Sequence, residues 1–210
     1  SLVSSEEGSS PSFASILGNT YEVSAPFRKI LAAIEHAAQD ESVLALLFDE
    51  VPIFHGRAAK HEFHKALRAF KQKTDKKIYA YSKKIDLSNY HILSVCDEIY
   101  AAPLENFYTL GDSVTVSFYA KALKNIGIQV QATRVGKYKS GIEPYLLEES
   151  SSENSAQISD LISDMQEVAF QDIAATGRLS IDDLKHSISE LGAISLIEAK
   201  ELGYIDDIFY

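Results

Sequence analysis

The sequence predicts an α/β fold built from repeated β–α–β units, with a mostly parallel sheet and a helical C-terminal part. Short apolar runs typical of buried strands alternate with segments whose apolar residues recur at helical spacing. This alternation indicates right-handed crossovers, because parallel strands are joined by a connection that returns across the sheet. After Pro144 the apolar residues keep helical spacing, so this part of the chain is expected to be mainly helical.

The predicted elements follow this pattern in chain order. Extended segments are expected at 43–48, 77–81, 98–101, 128–135 and 204–208. Helices are expected at 27–38, 58–72, 88–95, 117–125, 153–175, 181–189 and 195–201. Ser24 is the predicted cap of the first helix, with Pro26 in its first turn. The run 43–48 is so continuously apolar that it predicts a strand covered on both faces.

Composition sets the domain organisation and excludes some functions. The Ser- and Gly-rich residues 1–20 indicate a flexible lead-in, and 21–210 is predicted to be a single domain. A net charge of −10 argues against a nucleic-acid-binding protein, because phosphate binding needs a basic surface. No apolar run approaches the ~18 residues that span a bilayer, and no signal-peptide pattern opens the sequence.

No metal or cofactor is expected from the sequence. Cys96 is the single cysteine, and neither CxxC nor HExxH spacing occurs. Three histidines, His55, His61 and His64, lie close together, but basic residues are interspersed among them. This cluster is therefore interpreted as an exposed helix face rather than a metal site.

The segment 134–145 reads Arg-Val-Gly-Lys-Tyr-Lys-Ser-Gly-Ile-Glu-Pro-Tyr. It resembles the Gly-x-Tyr-Lys-Ser-x-x-Glu-Pro segment of the signal peptide peptidase (protease IV) family. The resemblance implies that Lys139 is the general base of a Ser-Lys dyad, kept neutral by burial, with Tyr138 and Ser140 shaping its surroundings. Glu143 is expected to hold the loop rather than act on substrate. The alternative is that Lys137 and Lys139 are both solvated surface lysines, and Lys137 is expected to be exposed in either case.

A second segment, 89–103, resembles the family's helix that opens with the nucleophilic serine. Counted back from Asp97, the nucleophile position is occupied by Leu87, and Ser88 and Asn89 replace the two glycines that follow. Leucine cannot attack a carbonyl. Ser88 is a candidate nucleophile one residue late, about 100° around the helix, although a helix N-cap is the favoured interpretation.

Other parts of the resemblance, which covers roughly 22–210, agree only in part. The turn 49–56 retains one glycine, Gly56, where the family commonly has a Gly-Gly turn, so an oxyanion hole of the usual form is not expected. The stretches 177–184 and 199–206 resemble the family's tail. The family's opening apolar strand is not recognised in the sequence.

The resemblance implies a crotonase-like (ClpP-like) fold and a place in the long, two-copy form of the family, as its N-terminal, lysine-bearing copy. The implied function is the lysine-supplying half of a serine endopeptidase that hydrolyses hydrophobic peptides such as released signal peptides. The serine would come from the C-terminal copy or a partner subunit, so the isolated chain would be inactive. A homo-oligomer is expected, associated with a membrane on the extracytoplasmic (periplasmic) side in a bacterium through an anchor outside this sequence.

Two other functions stay open. The first is a non-catalytic pseudo-peptidase or scaffold subunit of the same fold, which would explain Leu87 equally well. The second is an acyl-CoA enzyme of the crotonase type. It is less favoured because the sequence supplies neither paired carboxylates nor glycine-rich oxyanion turns.

Overall fold

A computed structural model of the chain describes residues 2–3, 26–54, 56–103 and 106–209. The chain divides into two compact units: Ser1–Leu110 together with Ala169–Tyr210, and Gly111–Val168. The predicted lead-in over 1–20 lies outside the described residues except for Leu2–Val3. The expectation of a single domain over 21–210 stays a prediction.

The first unit contains a four-stranded parallel sheet, and its strand order in space is β2-β4-β5-β8. These strands are β2 (Ala45–Phe48), β4 (Lys77–Ser82), β5 (Glu98–Ala101) and β8 (Asp207–Ile208). Two short pairs accompany the sheet: β1 (Leu2–Val3) runs parallel to β3 (Ile53–Phe54), and β6 (Phe107–Tyr108) runs antiparallel to β7 (Ala193–Ile194). The α/β class and the mostly parallel sheet are thus confirmed.

The predicted helices form in the predicted order, and a short helix at Glu143–Leu146, which was not predicted, forms as well. In the first unit these are α1 (Phe27–Gln39), α2 (Arg57–Lys73), α3 (Leu87–Leu93), α7 (Ile181–His186) and α8 (Leu196–Glu201). The second unit contains α4 (Ala120–Asn125), α5 (Glu143–Leu146) and the start of α6 (Ser152–Ala174), whose last residues belong to the first unit. None of the helices in the described ranges is both long enough and apolar enough to span a bilayer.

The core of the first unit lies against one face of the sheet. Along β4, Ile78, Ala80 and Ser82 are buried while the alternate residues are not, as a pleated strand requires. From α2, Phe63, Leu67 and Phe70 pack into the same cluster. Their spacing of four and three residues places them on one side of that helix, as the sequence predicts.

The prediction that the strand over 43–48 is covered on both faces is wrong. Leu44 and Leu47 are 84% and 71% exposed. Phe48 points the other way, and its ring contacts that of Phe63 at a centroid distance of 5.9 Å. Because successive side chains alternate, Leu47 must lie on the face opposite the core. The apolar run therefore indicates a strand but not its coverage.

The predicted extended segment over 128–135 does not form a strand. Ile128 and Val135 are 50% and 79% exposed, and the described residues of the second unit contain no strand for this segment to pair with. Apolar and polar residues alternate here as they do in a strand, but a strand also needs a neighbouring edge for its backbone hydrogen bonds.

Several predicted element ends are also shifted. The helix predicted over 117–125 begins at Ala120, and α7 ends at His186, where a π-helical turn takes over. Pro26 is the N-cap residue of α1, while Ser24 lies outside the described residues. The last strand shortens to Asp207–Ile208.

The histidines of α2 do not form an exposed face, so that prediction is wrong for His64. His64 is fully buried, and its ring stacks on that of His91 with centroids 4.8 Å apart. It follows Phe63 directly and so lies beside the buried stripe of the helix. His55 lies outside the described residues.

The two faces of the sheet predict different responses to the same substitution. Leu67→Ala should lower the free energy of unfolding by about 2–5 kcal/mol, because Leu67 is fully buried and truncation leaves a cavity. Leu47→Ala should change it by less than about 0.5 kcal/mol, because this side chain is 71% exposed. Urea unfolding of the variants measures both values, and equal losses would contradict this assignment of the faces.

Candidate active site

A cleft of about 430 Å³ opens beyond the end of β4 in the first unit. Its walls come from the turn after β2, the first turns of α2 and α3, and the loop that joins β4 to α3. Polar and charged side chains contribute much of the lining: Glu50, Lys60, Ser82, Lys84, Asp86, Ser88 and Asn89. In an open parallel sheet, the carboxyl ends of the strands are where ligands usually bind.

The start of α3 is fixed by a capping box. The carboxylate of Asp86 accepts the backbone N–H of Asn89 at 2.9 Å, and Oδ1 of Asn89 accepts the N–H of Asp86 at 3.0 Å. Asp86 is therefore the N-cap, and the interpretation of Ser88 as the cap is wrong. A carboxylate is the stronger partner for the free N–H groups at the positive end of a helix.

This cap determines what the first turn of α3 presents. Leu87, at the position the resemblance assigns to the nucleophile, is the first helical residue, and its half-buried side chain packs against the core. Ser88 follows it and is exposed at the cleft. The helix start is therefore formed, and Leu87 stands at the position that the resemblance assigns to the nucleophile.

Ser88 has a lysine partner that the sequence did not indicate. Nζ of Lys60 donates a short hydrogen bond to the hydroxyl of Ser88 and a second one, of 3.3 Å, to its carbonyl oxygen. Lys60 lies in the first turn of α2, 28 residues earlier in the chain. A serine hydroxyl beside a lysine amine can be activated for nucleophilic attack if the amine loses its proton. With the lysine protonated, the same contact only orients the hydroxyl.

The turn before α2 retains one glycine, Gly56. Glu50 forms an ion pair with Lys83 at 3.2 Å, which brings side-chain charge to the rim of the cleft. Gly56 caps α2 with a φ of 100°, a conformation that favours glycine. The retained glycine therefore serves the helix start.

The predicted residues Tyr138, Lys139 and Ser140 lie together on one segment of the second unit, whereas Ser88 belongs to the first. Lys139 is exposed and Tyr138 is 66% exposed, while Ser140 is half-buried. Lys137 is also exposed, with its amine 3.7 Å from a carboxylate oxygen of Glu153. In this chain, solvent rather than an apolar pocket surrounds the Lys139 side chain.

Hydrogen bonds to Glu143 hold the segment that carries Lys139. The side chain of Glu143 is fully buried and accepts hydrogen bonds from Arg134 at 2.8 Å, from the hydroxyl of Ser151 at 2.8 Å and from the backbone N–H of Ser151 at 3.1 Å. Arg134 also donates to the carbonyl oxygen of Lys139 at 3.4 Å. These contacts match the loop-holding role inferred for Glu143.

The same contacts perturb the acidity of Glu143. The hydrogen bonds from Arg134 and then from Ser151 stabilise the ionised carboxylate and hold the pKa of Glu143 below its usual value. Burial acts in the opposite direction and does not overcome them.

The chain belongs to peptidase family S49, a family of serine peptidases, whose model matches residues 70–210. The matched region includes both α3 and the segment carrying Lys139. The resemblance found in the sequence is thereby confirmed at the level of the family.

Two relatives illustrate the match. "Serine protease SPPA, chloroplastic" from Arabidopsis thaliana is 28% identical over 175 residues, which are 83% of this chain and 25% of that protein. "Protease 4" from Haemophilus influenzae is 24% identical over 188 residues, covering 85% of this chain and 30% of that protein. The chain therefore spans less than a third of the length of either relative.

Among solved structures, the chain is similar to the catalytic domain of the ClpP protease from Plasmodium falciparum. The two share 8% identity and a TM-score of 0.48, over 88% of this chain and 78% of the other. No residue role is carried over from so distant a likeness.

Glu143→Gln tests the anchor of the lysine segment. The substitution should lower stability at pH 7, because glutamine loses the charge that Arg134 binds. The pKa of Glu143 is lower in the folded protein, so its contribution is present above the unfolded value of about 4.3 and is lost as the pH falls through the folded value. The difference in stability between the two proteins should therefore shrink in acid.

Thermal unfolding at stepped pH measures this difference, and tryptic cleavage after Lys137 and Lys139 reports on the loop itself. The exposed residue Glu149 provides the matched control variant, Glu149→Gln. A difference independent of pH, or equal loosening of the loop by both substitutions, would contradict the anchoring role.

Proposed function

We propose that this chain is the lysine-supplying part of a serine endopeptidase that hydrolyses hydrophobic peptides, with the serine coming from another domain or subunit. The observation that carries the proposal is Leu87, which occupies the nucleophile position at an otherwise intact helix start. Membership of peptidase family S49 supports the chemistry, and the Lys139 segment supplies the base that such a reaction needs.

The surroundings of Lys139 suit a base that is completed by a partner. Its side chain is exposed, while its backbone carbonyl accepts a hydrogen bond from Arg134, which is paired with the buried Glu143. A serine-bearing surface placed over the segment would remove water from the amine. Desolvation disfavours the charged ammonium and lowers the pKa of a lysine towards neutrality, which a general base requires.

The reaction then follows the Ser-Lys scheme. Neutral Lys139 takes the proton of the serine hydroxyl as the serine oxygen attacks the peptide carbonyl. The protonated lysine returns that proton to the leaving amine, which departs and leaves an acyl-enzyme. A water molecule, deprotonated by the same lysine, hydrolyses the ester and releases the second product.

A second candidate rests on the contact between Ser88 and Lys60. Both residues line the cleft of the first unit, so the chain would be a self-contained peptidase with a dyad displaced by one residue from the family position. The non-catalytic alternative, a scaffold subunit of the same fold, also fits Leu87 and needs neither lysine as a base.

Labelling with a serine-reactive fluorophosphonate separates these functions. The isolated chain should not be labelled, whereas the serine-bearing domain or subunit should be labelled when the two are mixed. Lys139→Ala should slow this labelling by about 10²–10⁴-fold, the usual contribution of a general base. Lys137→Ala, which removes an exposed lysine two residues earlier, should leave the rate unchanged.

The other outcomes are equally specific. Labelling of the isolated chain that disappears in both Ser88→Ala and Lys60→Met would establish the self-contained dyad instead. If the serine-bearing domain or subunit is labelled at the same rate in the presence and absence of the chain, the scaffold function is favoured. Equal decreases in labelling rate for Lys137→Ala and Lys139→Ala would contradict a specific role of Lys139.

A further inference from the structure

Three side chains from three helices meet in the first unit, beside the cleft. Nδ1 of His61 on α2 and Nε2 of His91 on α3 lie 2.6 and 2.8 Å from the same carboxylate oxygen, Oδ2 of Asp172 near the end of α6. The three potential ligand atoms all lie within 4.8 Å of one another. We call these residues the His-Asp-His cluster.

The cluster is largely enclosed but can be reached from solvent. The side chains of His91 and Asp172 are 8% and 15% exposed, whereas that of His61 is 38% exposed. A bound ion could therefore enter past His61. It would keep at least one coordination position for water, because the protein supplies three ligands.

A third histidine lies beside the cluster without the partners expected of a buried polar group. His64 is fully buried and stacks on His91, and neither of its ring nitrogens has a hydrogen-bond partner among the described residues. A buried polar group left unpaired is costly, and such groups are concentrated where a ligand or solvent molecule binds.

The donor atoms of the cluster indicate which cation it would accept. They are two imidazole nitrogens and one carboxylate oxygen. Ca²⁺ and Mg²⁺, which need several anionic oxygen ligands, are therefore poorly served. Ions that bind imidazole nitrogen strongly, such as Zn²⁺ and Co²⁺, suit a set of two histidines and one carboxylate.

We propose that His61, His91 and Asp172 form a binding site for a divalent transition-metal ion of the Zn²⁺ type. Ligand atoms around a tetrahedral ion with bonds of about 2.0–2.1 Å lie about 3.3 Å apart. The carboxylate of Asp172 must therefore withdraw by about half an ångström from its hydrogen-bonded position, and the two histidine nitrogens, up to 4.8 Å apart, must approach each other as the ion enters. Rotation of the partly exposed His61 side chain provides this approach.

An ion at this site would join three helices next to the cleft. His61 directly follows Lys60 on α2, and His91 lies one helical turn after Ser88 on α3. Coordination would fix these two helices to the end of α6 and hold Lys60 and Ser88 at a constant separation. The proposed metal site does not depend on the proposed role of Lys139, because Lys139 belongs to the second unit.

The test is titration of the tag-free, metal-free chain with Co²⁺, followed by visible absorption and then by displacement with Zn²⁺. One ion per chain should bind, with the absorption of a four- or five-coordinate site, and Zn²⁺ should raise the midpoint of thermal unfolding. Asp172→Asn and His61→Gln should each weaken binding at least tenfold. His36→Gln, at a histidine that is 79% exposed on α1, should bind as tightly as the unchanged chain.

Circular dichroism of the metal-free variants checks that they are folded, and the partly exposed His61 gives a variant with little risk to the core. Failure of the unchanged chain to reach saturation at millimolar Co²⁺ would overturn the proposal. So would saturation that survives both Asp172→Asn and His61→Gln, or that is lost equally in His36→Gln.

Discussion

The parallel sheet depends on two carboxylates that stand at the beginnings of its strands. Oδ2 of Asp97 accepts the backbone N–H of Ile78 at 2.8 Å, and Oδ2 of Asp206 accepts that of Ile99 at 2.7 Å. Arg178 joins the two ends by donating to the carbonyl oxygen of Asp97 and to the carboxylate of Asp206. Each carboxylate serves as an acceptor for a backbone N–H, so the register of β4, β5 and β8 is fixed at the amino ends of the strands. The cleft lies at the opposite, carboxyl ends of the strands.

At the carboxyl ends of the strands, the first two residues of α3 differ in what they can do: Leu87 cannot act as a nucleophile, whereas Ser88 has a hydroxyl. The capping box of Asp86 and Asn89 fixes where α3 begins, so it also fixes which residue is first in the helix. That residue is Leu87, which turns its side chain towards the core, and the hydroxyl of Ser88 emerges about 100° further round, where it meets Lys60. The helix start is thus preserved, while leucine replaces the residue that would carry the nucleophile, and the proposed pairing of Lys139 with a partner's serine rests on this replacement.

Local patterns in the sequence were sufficient for most of the fold and for one part of the site. The buried stripe of α2, the strands β4 and β5 and the long helix α6 all follow from apolar spacing, because each depends on residues a few positions apart. The His-Asp-His cluster joins residues 81 and 111 positions apart, and such contacts leave no periodic trace. The segment 128–135 shows the converse, since its pattern is that of a strand but strand formation depends on a partner elsewhere. Asp86 and Ser88 are both residue types that cap helices, and only the folded backbone selects between them.

The first unit is interrupted in the chain by the second, and this has a consequence for synthesis on the ribosome. The backbone N–H of Ile99 on β5 donates to the carboxylate of Asp206, which is synthesised 107 residues later. At translation rates of about 5–20 residues per second, that interval lasts roughly 5–20 s. During it the second unit is already complete in sequence, whereas β5 has an open edge that could pair with a neighbouring nascent chain. The sheet is therefore completed only when β8 has been made and pairs with β5.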